Sequence, residues 1–404
     1  MKLSICFICD EYPPIDHGGI GTAVKLLAEE LAKSHDIFVV GISPKSFGGK
    51  NFEKKNGVNI WRFKHGIKLP FLGKNSLLKK LLNKLFKIDY WGAKKAWVSH
   101  KNFIEKLDLQ YKLDVLECPD FRFVFTYLSN SNNLRIWPNI SGLKVAKLHG
   151  SINFFRLENN LSLAKKEYLF EKQLFDYSDK IISVSPYTTR KIKSYYNIEN
   201  SKIETIFNGL NIINTNSDAK TRKNKVIFSG SLVKKKGIIE LLKAWNLVCK
   251  DDNNSVLLVY GKGVKWKYLK YIDRDITNRV FFKGHVDRDF LLNEYKTASL
   301  AVFPSHSETF GLGPIESMMM GCPTIGSKIF KKTWYFNNPK PNAMLIQDQF
   351  DTKSFANLIL SVLKNDKIKN ELSNEGKTYV NNHFDIVNIA NKHIEFYLES
   401  IRND

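Results

Sequence analysis

The chain has 404 residues, of which 43% are hydrophobic and 13% aromatic, so it can build two hydrophobic cores and is not a disordered protein. Its longest apolar runs have the length of a strand, which excludes a membrane-spanning helix, and its N-terminal run lacks a signal-peptide cleavage site. We therefore expect a cytoplasmic protein. The formal net charge of +22 indicates either an anionic partner (a phosphate ligand, an acidic lipid or a nucleic acid) or a compositional bias.

The five cysteines do not have the spacing of a disulfide framework. Cys6 and Cys9 form a CxxC pair, but they lie on a predicted strand, where positions three apart point to opposite faces. We therefore predict that both are core residues.

Apolar runs rich in β-forming residues alternate with helical patterns along the chain. The runs predicted as strands are 3–9, 37–42, 113–117, 143–150, 180–185, 225–230, 255–261, 279–284, 300–305 and 322–327. Continuous apolar strands separated by helices are typical of parallel sheets covered on both faces, so we predict an α/β fold. Each half of the chain is expected to form its own doubly wound, Rossmann-like sheet.

A polar segment at 206–225 separates the two series of strands and predicts a domain boundary near 210–222. The expected domains are residues 1–212 and 213–384, with a C-terminal helix in 385–404 that packs back on the first domain. Ligands of doubly wound sheets bind at the carboxyl ends of the strands, so two facing domains are expected to leave a binding cleft.

A glycine-rich loop, GGIG at 18–21, follows the first strand. It lacks the G-x-G-x-x-G pattern of dinucleotide sites, and the second strand ends without the acidic residue that a ribose would need. The sequence therefore disfavours a nicotinamide cofactor.

Positive charge is concentrated between residues 62 and 112, a segment that contains thirteen lysines and arginines and only three acidic residues. Within it, KNSLLKKLLNKLFK at 74–87 places leucines on one helical face and lysines elsewhere. Such a helix can lie on an anionic membrane, although a leucine stripe with solvated lysines is also typical of ordinary core packing.

His149 ends a predicted strand in the context KLHGS. A histidine at a strand end is more often a structural hydrogen-bonding residue than a catalytic group. Its position at the carboxyl end of a strand nevertheless makes it a candidate site residue.

The segment KVIFSGSLVKKKGIIELLKAW at 225–245 predicts a strand, a glycine turn, a basic cluster and an amphipathic helix. Lys234, Lys235 and Lys236 then stand at the carboxyl end of a strand, where a lysine near a phosphate contributes about 4 kcal/mol of Coulomb attraction at an effective dielectric near 20. Three adjacent lysines cannot all point the same way, and we select Lys236, next to Gly237, as the phosphate ligand.

The segment HSETFGLGPIES at 306–317 places Glu308 and Glu316 on either side of a glycine-rich loop. Pro314 suits the first turn of a helix, so Glu316 is predicted in that turn and the TFGLG loop before it would present amides to a diphosphate. Carboxylates on either side could accept hydrogen bonds from sugar hydroxyls, which outlines a nucleotide-sugar site. The alternative is that Glu316 only favours the positive end of the helix and Glu308 is a solvated loop residue.

Further motifs stand in a fixed order along the chain. They are DEYPP at 10–14, GGIGT at 18–22, KLHGS at 147–151, SVSPYTTRKI at 183–192, FNGLN at 207–211, GKG at 261–263 and FKGHV at 282–286. Together with G-x-L-x3-KG and E-x7-E, this set resembles glycosyltransferase family 4, whose members are retaining enzymes of the GT-B fold. The resemblance covers essentially the whole chain, and the ordered set is far more specific than any single motif.

The resemblance implies roles for the matching residues. Glu308 resembles the glutamate that contacts donor-sugar hydroxyls, Glu316 the one that binds ribose hydroxyls, and Lys236 the lysine on the diphosphate. His149 resembles the histidine beside the donor sugar, and it joins Lys236 and Glu308 as the expected catalytic set. The other expected donor-binding residues are Gly18, Gly19, Ser231, His285, Val286, Thr309, Phe310, Gly311 and Leu312.

One position departs from the family pattern. Ser231 stands where family members usually carry arginine, so half of the expected cationic clamp on the diphosphate is missing. Either Lys234, Lys235 or another cation compensates, or affinity for the donor is reduced.

The reaction that the resemblance implies is transfer of a hexose, with retention of configuration, from a UDP-sugar or a GDP-sugar to a glycan or lipid-linked acceptor in cell-surface polysaccharide or lipopolysaccharide synthesis. We expect no cofactor and no obligatory metal, and a cytoplasmic enzyme that is peripheral on the inner face of the membrane. Two alternatives remain: a nucleotide-sugar epimerase of similar fold, against which the KKG and E-x7-E motifs argue, and a basic nucleic-acid-binding protein, for which no recognised module is present.

Overall fold

The chain forms two compact units in the computed structural model. The first unit contains Met1–Gly209 and Ile386–Asp404, and the second contains Leu210–Asp385. From the sequence, these boundaries are predicted at 212/213 and 384/385. The structure describes residues 1–15, 18–44, 46–65, 88–122, 124–128, 135–213, 223–333 and 341–402.

The first unit is built from eight strands and six helices before its C-terminal helix, counted over the described residues. They are β1 (Ser4–Ile8), α1 (Gly19–Leu31), β2 (Asp36–Pro44), β3 (Phe52–Lys55), β4 (Val58–His65), α2 (Ile88–Tyr111), β5 (Val115–Pro119), α3 (Phe125–Leu128), β6 (Leu143–Leu148), α4 (Ile152–Glu158), α5 (Lys165–Asp176), β7 (Lys180–Ser183), α6 (Pro186–Tyr196) and β8 (Ile203–Thr205). The sheet order is β3-β4-β2-β1-β5-β6-β7-β8, and every pair is parallel except β3 with β4. The predicted α/β architecture is therefore confirmed for this unit.

The hairpin of β3 and β4 was not predicted, because its residues alternate in character instead of forming a continuous apolar run. Val58 and Ile60 are buried while their neighbours on β4 are partly exposed. Asn56 and Gly57 connect the strands, both with positive φ (49° and 80°). This is the backbone geometry that a tight hairpin turn requires.

The second unit has a six-stranded, wholly parallel sheet in the order β11-β10-β9-β12-β13-β14. Its elements are β9 (Lys223–Ser229), α7 (Ile238–Asp251), β10 (Val256–Tyr260), β11 (Val280–Gly284), α8 (Arg288–Lys296), β12 (Ala298–Phe303), α9 (Leu312–Met319), β13 (Thr324–Ser327), α10 (Ile329–Thr333), β14 (Met344–Ile346), α11 (Thr352–Leu363) and α12 (Asp366–His383). Its core is apolar on both faces of the sheet, with Trp245, Phe228 and Phe355 fully buried. The strand order makes β9 and β12 neighbours although β10 and β11 lie between them in sequence.

The C-terminal helix, α13 (Ile386–Arg402), is held to the first unit by a buried polar network. His393 Nε2 lies 2.9 Å from the Nζ atom of Lys147 on β6, and Tyr397 donates a 2.8 Å hydrogen bond to Glu117 on β5. Lys147 also lies 3.6 Å from Glu117. An unpaired charge in the core is costly, and here Lys147 and Glu117 of the sheet neutralise each other. The helix residues His393 and Tyr397 bind to this pair and so join the helix to the sheet.

The five cysteines are free and buried, including Cys6 and Cys9 on and just after β1, and burial raises the pKa of both thiols. The prediction that they are core residues is confirmed. Among the described residues, no helix combines the length and hydropathy that crossing a bilayer requires. The basic helix predicted at 74–87 lies outside the described residues.

Candidate functional site

Two loops meet at the carboxyl ends of β9 and β12 in the second unit. After β9, Lys234–Lys236 form one 3-10 turn that ends at Gly237 with φ of 71°. A Cβ atom on Gly237 would lie 2.0 Å from the carbonyl oxygen of Pro304, so only glycine allows this close approach. The backbone amide of His306 donates to the Lys235 carbonyl at 2.8 Å, which joins the two loops directly.

This junction brings Lys236 and Glu308 together, although they are 72 positions apart in sequence. The ammonium group of Lys236 donates to Glu308 Oε1, and the hydroxyl of Ser305 donates to the same oxygen at 3.0 Å. Glu308 is 8% exposed, so the alternative that it is a solvated loop residue is wrong. The side chain of Lys236 is 26% exposed, which leaves part of the cation accessible to a ligand.

The neighbouring lysines have different surroundings. Burial, with the added repulsion from Lys236, lowers the pKa of Lys235 to about 8. Lys234 is exposed. The single turn therefore separates the three lysines in space, as the sequence analysis requires, and Lys236 is the one that contacts Glu308.

Glu316 is buried on α9 and pairs with Arg288, the first residue of α8, whose Nε lies 2.6 Å from its Oε1. Burial raises the pKa of Glu316, and the Arg288 guanidinium partly opposes that shift. The prediction that Glu316 lies in the first helical turn is wrong. The helix begins at Leu312, two residues before Pro314, so Glu316 is its fifth residue.

The loop between the two glutamates ends at Gly311, the N-cap of α9, with φ of 86°. Gly311 has no side chain to accept hydrogen bonds from the first amides of the helix. A Cβ atom at this position would lie 2.5 Å from the ring of Phe330. Thr309 and Phe310 are buried, and Leu312 is half-buried. Helix amides at such an N-terminus are a favourable environment for an anion.

The remaining predicted donor-binding residues of this unit lie on neighbouring loops of the same sheet edge. Ser231 is exposed and follows β9. His285 is exposed and Val286 half-buried, and both follow β11, just before Arg288. Arg288 was missed by the sequence analysis, because nothing in its local pattern indicates a partner 28 positions away.

In the first unit, Gly18 is the N-cap of α1 and Gly19 its first residue, and both are exposed. The amide of Gly18 donates to Glu11 Oε2 at 2.8 Å. Helix α1 therefore begins within the GGIGT motif, at Gly19, where the sequence predicts a glycine-rich loop over 18–21.

His149 follows β6, and its backbone amide donates to Asp120 Oδ1 at 2.8 Å. Burial, assisted by the nearby positive charge of Lys147, lowers the pKa of His149 to about 3. Burial also raises the pKa of Asp120 to about 7, against the backbone amides of His149 and Gly150 that donate to it. His149 is therefore a neutral imidazole at physiological pH.

A buried ion pair that the sequence analysis missed lies at the ends of β1 and β5. Arg122 donates to both carboxylate oxygens of Asp10, at 2.7 and 3.0 Å, and the amide of Ile42 donates to Asp10 at 2.8 Å. Burial opposes ionisation of Asp10, but Arg122 and these hydrogen bonds outweigh it and lower its pKa. Asp10 belongs to the DEYPP motif, so its position after the first strand was the available signal.

The described residues contain no group of three or more His, Cys, Asp or Glu side chains that could hold a metal ion.

Comparison with known proteins finds similarities for part of the chain and for the whole of it. Residues 212–379, which lie in the second unit, match the family model of Glycosyl transferases group 1. An uncharacterized glycosyltransferase of Methanocaldococcus jannaschii is 25% identical over 346 residues, which cover 81% of each chain.

Solved structures share the fold over the whole chain. Sucrose-phosphate synthase from Thermosynechococcus elongatus superposes with a TM-score of 0.74 at 18% identity, covering 100% of both chains. Anabaena HepE in complex with UDP and glucose has a TM-score of 0.68 at 15% identity, covering 98% of this chain and 99% of that one. At these identities the likeness shows the fold, and the predicted GT-B fold class is confirmed.

Proposed function

We propose that this chain, whose second unit matches group 1 glycosyltransferases, is a retaining family 4 enzyme that transfers a hexose from a nucleotide diphosphate sugar to a glycan or lipid-linked acceptor. The observation that carries the proposal is the contact of Lys236 with Glu308 beside the start of α9. A cation, a carboxylate and helix amides at one sheet edge match the phosphates and hydroxyls of such a donor.

Lys236 is assigned to the diphosphate. Its ammonium has three donors, so it can hold Glu308 with one and phosphate oxygens with the others. As the bond to the sugar breaks, negative charge develops on the diphosphate, and a cation already in place stabilises that charge. The amides at the start of α9 are assigned to the same phosphates.

The two glutamates are assigned to hydroxyl groups of the donor. Glu308 would bind hydroxyls of the hexose, and Glu316 those of the ribose. A carboxylate offers about four acceptor sites on two oxygens, so the contact of Glu316 with Arg288 leaves capacity for a hydroxyl. Arg288 would then favour the ionised form of Glu316, against the effect of burial, which raises its pKa.

Retention of configuration follows in this proposal from attack by the acceptor hydroxyl on the face from which the diphosphate leaves, with the hydroxyl proton passing to the departing diphosphate oxygen. No side chain is assigned as a nucleophile. Gly18 and Gly19 would approach the phosphates and acceptor through backbone, and the neutral imidazole of His149 would lie beside the donor sugar. We expect no obligatory metal.

The favoured donor is a UDP-sugar, with a GDP-sugar second. The Anabaena protein of similar fold was solved with UDP and glucose, which supports a uridine nucleotide. The product would belong to cell-surface polysaccharide or lipopolysaccharide, and we propose a cytoplasmic enzyme that contacts the inner face of the membrane through residues 62–112.

The test begins with a thermal-shift screen of nucleotide sugars, followed by an assay of free nucleoside diphosphate with and without acceptor. Transfer predicts release that depends on acceptor, with a product whose anomeric configuration, measured by NMR, equals that of the donor. Glu308→Gln should abolish release, and Glu371→Gln, at an exposed position on α12, is the matched control.

Other outcomes contradict the proposal. Interconversion of nucleotide sugars without acceptor would identify an epimerase. A fully active Glu308→Gln variant would remove the site assignment, and an inverted anomer would remove the retaining mechanism.

A further inference from the structure

Three apolar side chains stand out from the second unit on the segment after β10. Val264 is 43% exposed, Leu269 49% and Trp266 68%. The segment forms two short 3-10 turns, Lys265–Lys267 and Leu269–Tyr271. A tryptophan this exposed forfeits the largest apolar burial available to a side chain.

The backbone that carries these side chains is anchored to the unit. Tyr268 is buried, and its hydroxyl donates to the Leu232 carbonyl at 2.7 Å. Asn246 on α7 donates to the Tyr271 carbonyl at 3.1 Å. The segment that carries the exposed apolar side chains is thus fixed to the unit by these hydrogen bonds, and Tyr268 within it points inward.

The same segment is strongly basic. Its lysines are Lys262, Lys265, Lys267 and Lys270, and no acidic residue occurs from 262 to 272. Lys267 lies 5.8 Å from the ring centroid of Trp266, and Lys270 lies 5.2 Å from that of Tyr271. Lys243 on α7 approaches the Tyr271 ring from the neighbouring helix at 5.9 Å.

We propose that this surface, defined by the side chains of Val264, Lys265, Trp266, Lys267, Leu269 and Lys270 and called the 262–271 surface, docks on an anionic phospholipid bilayer. Tryptophan rings favour the membrane interface, aliphatic side chains insert below the headgroups, and lysines attract anionic lipid. All three preferences are met within one short segment.

A soluble anionic polymer fits the surface less well. A polysaccharide or nucleic acid would use the lysines and the Trp266 ring, but it would gain nothing from the exposed aliphatic groups of Val264 and Leu269. A bilayer uses every member of the surface, so it is the occupant that the chemistry selects.

The 262–271 surface lies next to the proposed donor site of its own unit. The amide of Leu232 donates to the Lys262 carbonyl at 2.7 Å, and only Val233 separates Leu232 from the turn Lys234–Lys236. Docking there would bring this turn near the lipid headgroups. The inference goes beyond the proposed function and does not depend on it, because its test needs neither donor nor acceptor.

The first experiment measures lipid contact at one position of the surface. All five native cysteines are buried, so Trp266→Cys in the full chain accepts an environment-sensitive fluorophore at one site. Vesicles with about 30% phosphatidylglycerol should shift its emission to the blue, and pure phosphatidylcholine vesicles should not. Tyr177→Cys, at a 70% exposed position of the first unit, is the labelled control and should not respond.

The second experiment measures partitioning by cosedimentation with the same anionic vesicles. The double substitution Lys265→Glu/Lys267→Glu should reduce the partition coefficient at least tenfold, an order of magnitude expected from reversing two surface charges. Lys353→Glu/Lys367→Glu makes the same charge change at exposed positions on α11 and α12 and should reduce it far less. Circular dichroism confirms that both variants fold.

Several results would overturn the inference. Vesicle binding that leaves the label at 266 unchanged would place the contact elsewhere, for example in residues 62–112. If the partition coefficient fell equally in the two double variants, the binding would depend on net charge and not on this surface. A label that responds to lipid-free polyglycerol phosphate, and not to vesicles, would identify an anionic polymer as the partner.

Discussion

Charged residues gather at the carboxyl ends of strands in both units, but they are arranged differently. In the first unit, Asp10 and Arg122 are 8% and 1% exposed and are paired through two hydrogen bonds. In the second unit, Lys236 remains 26% exposed while it contacts Glu308. The first pair is closed to a ligand, and the second is open on one side.

A charged residue at a strand end is therefore a site candidate only when its partner leaves it accessible. A buried pair neutralised on all sides contributes to folding, because removing one partner leaves a charge in the core. A half-accessible cation beside helix amides can exchange part of its hydration for a phosphate. The following substitutions test this division, beginning with the one that should cost most free energy.

Arg122→Met should lower the free energy of unfolding by about 3–5 kcal/mol, because Asp10 would stay buried without its counter-charge. Chemical denaturation of the full chain measures the loss. Lys172→Met breaks the exposed pair with Asp176 and should cost less than about 1 kcal/mol. If the two variants lost similar free energies of unfolding, the Asp10–Arg122 pair would not be a buried pair that stabilises the fold.

Lys236→Gln should lower kcat/KM by about 10²–10³, because the developing charge on the diphosphate would lose its cation. Glutamine can still donate to Glu308, so the midpoint of thermal unfolding should change little. Lys250→Gln removes an exposed charge from α7 of the same unit, away from the turn, and serves as the control. A large loss of stability without loss of activity would show that the Lys236–Glu308 pair stabilises the fold and does not bind the donor.

Ser231→Arg should raise affinity for the nucleotide-sugar donor about tenfold, since one charge-assisted contact to a phosphate contributes roughly 1.5–3 kcal/mol before the cost of ordering the side chain. Ser231 is exposed, so the larger side chain can be accommodated. Calorimetric titration of donor measures the change. Unchanged affinity would show that neighbouring cations already complete the clamp.

His149→Asn should flatten the pH dependence of stability. His149 has its pKa lowered to about 3 in the folded chain, so its contribution is present above about pH 6.5, where the unfolded histidine is neutral, and is lost as pH falls below that value. Between pH 7 and 5.5 the unfolding free energy of the variant should therefore fall by about 1 kcal/mol less than that of the parent.

The control for this prediction is His285→Asn, at an exposed position of the second unit, which should leave the slope unchanged. Equal flattening by both substitutions would show that burial of His149 does not set the slope.

The class of fold and the candidate loops follow from the amino-acid pattern alone. Continuous apolar runs of strand length favour buried strands, and every predicted strand is present, while the alternating residues of β4 escaped a search for continuous runs. The rule that ligands bind at the carboxyl ends of parallel strands was enough to select the loops that carry Lys236, Glu308 and His149.

Which of these charged side chains meet depends on how the strands are ordered and packed in three dimensions. Lys236 contacts Glu308 because β9 and β12 are adjacent in the sheet, and that order is not encoded in the local pattern of either strand. The pairs of Arg288 with Glu316 and Arg122 with Asp10 depend in the same way on contacts between distant segments. Burial, and with it the protonation of each group, follows from that packing, because the dielectric around a side chain is a property of its neighbours in space.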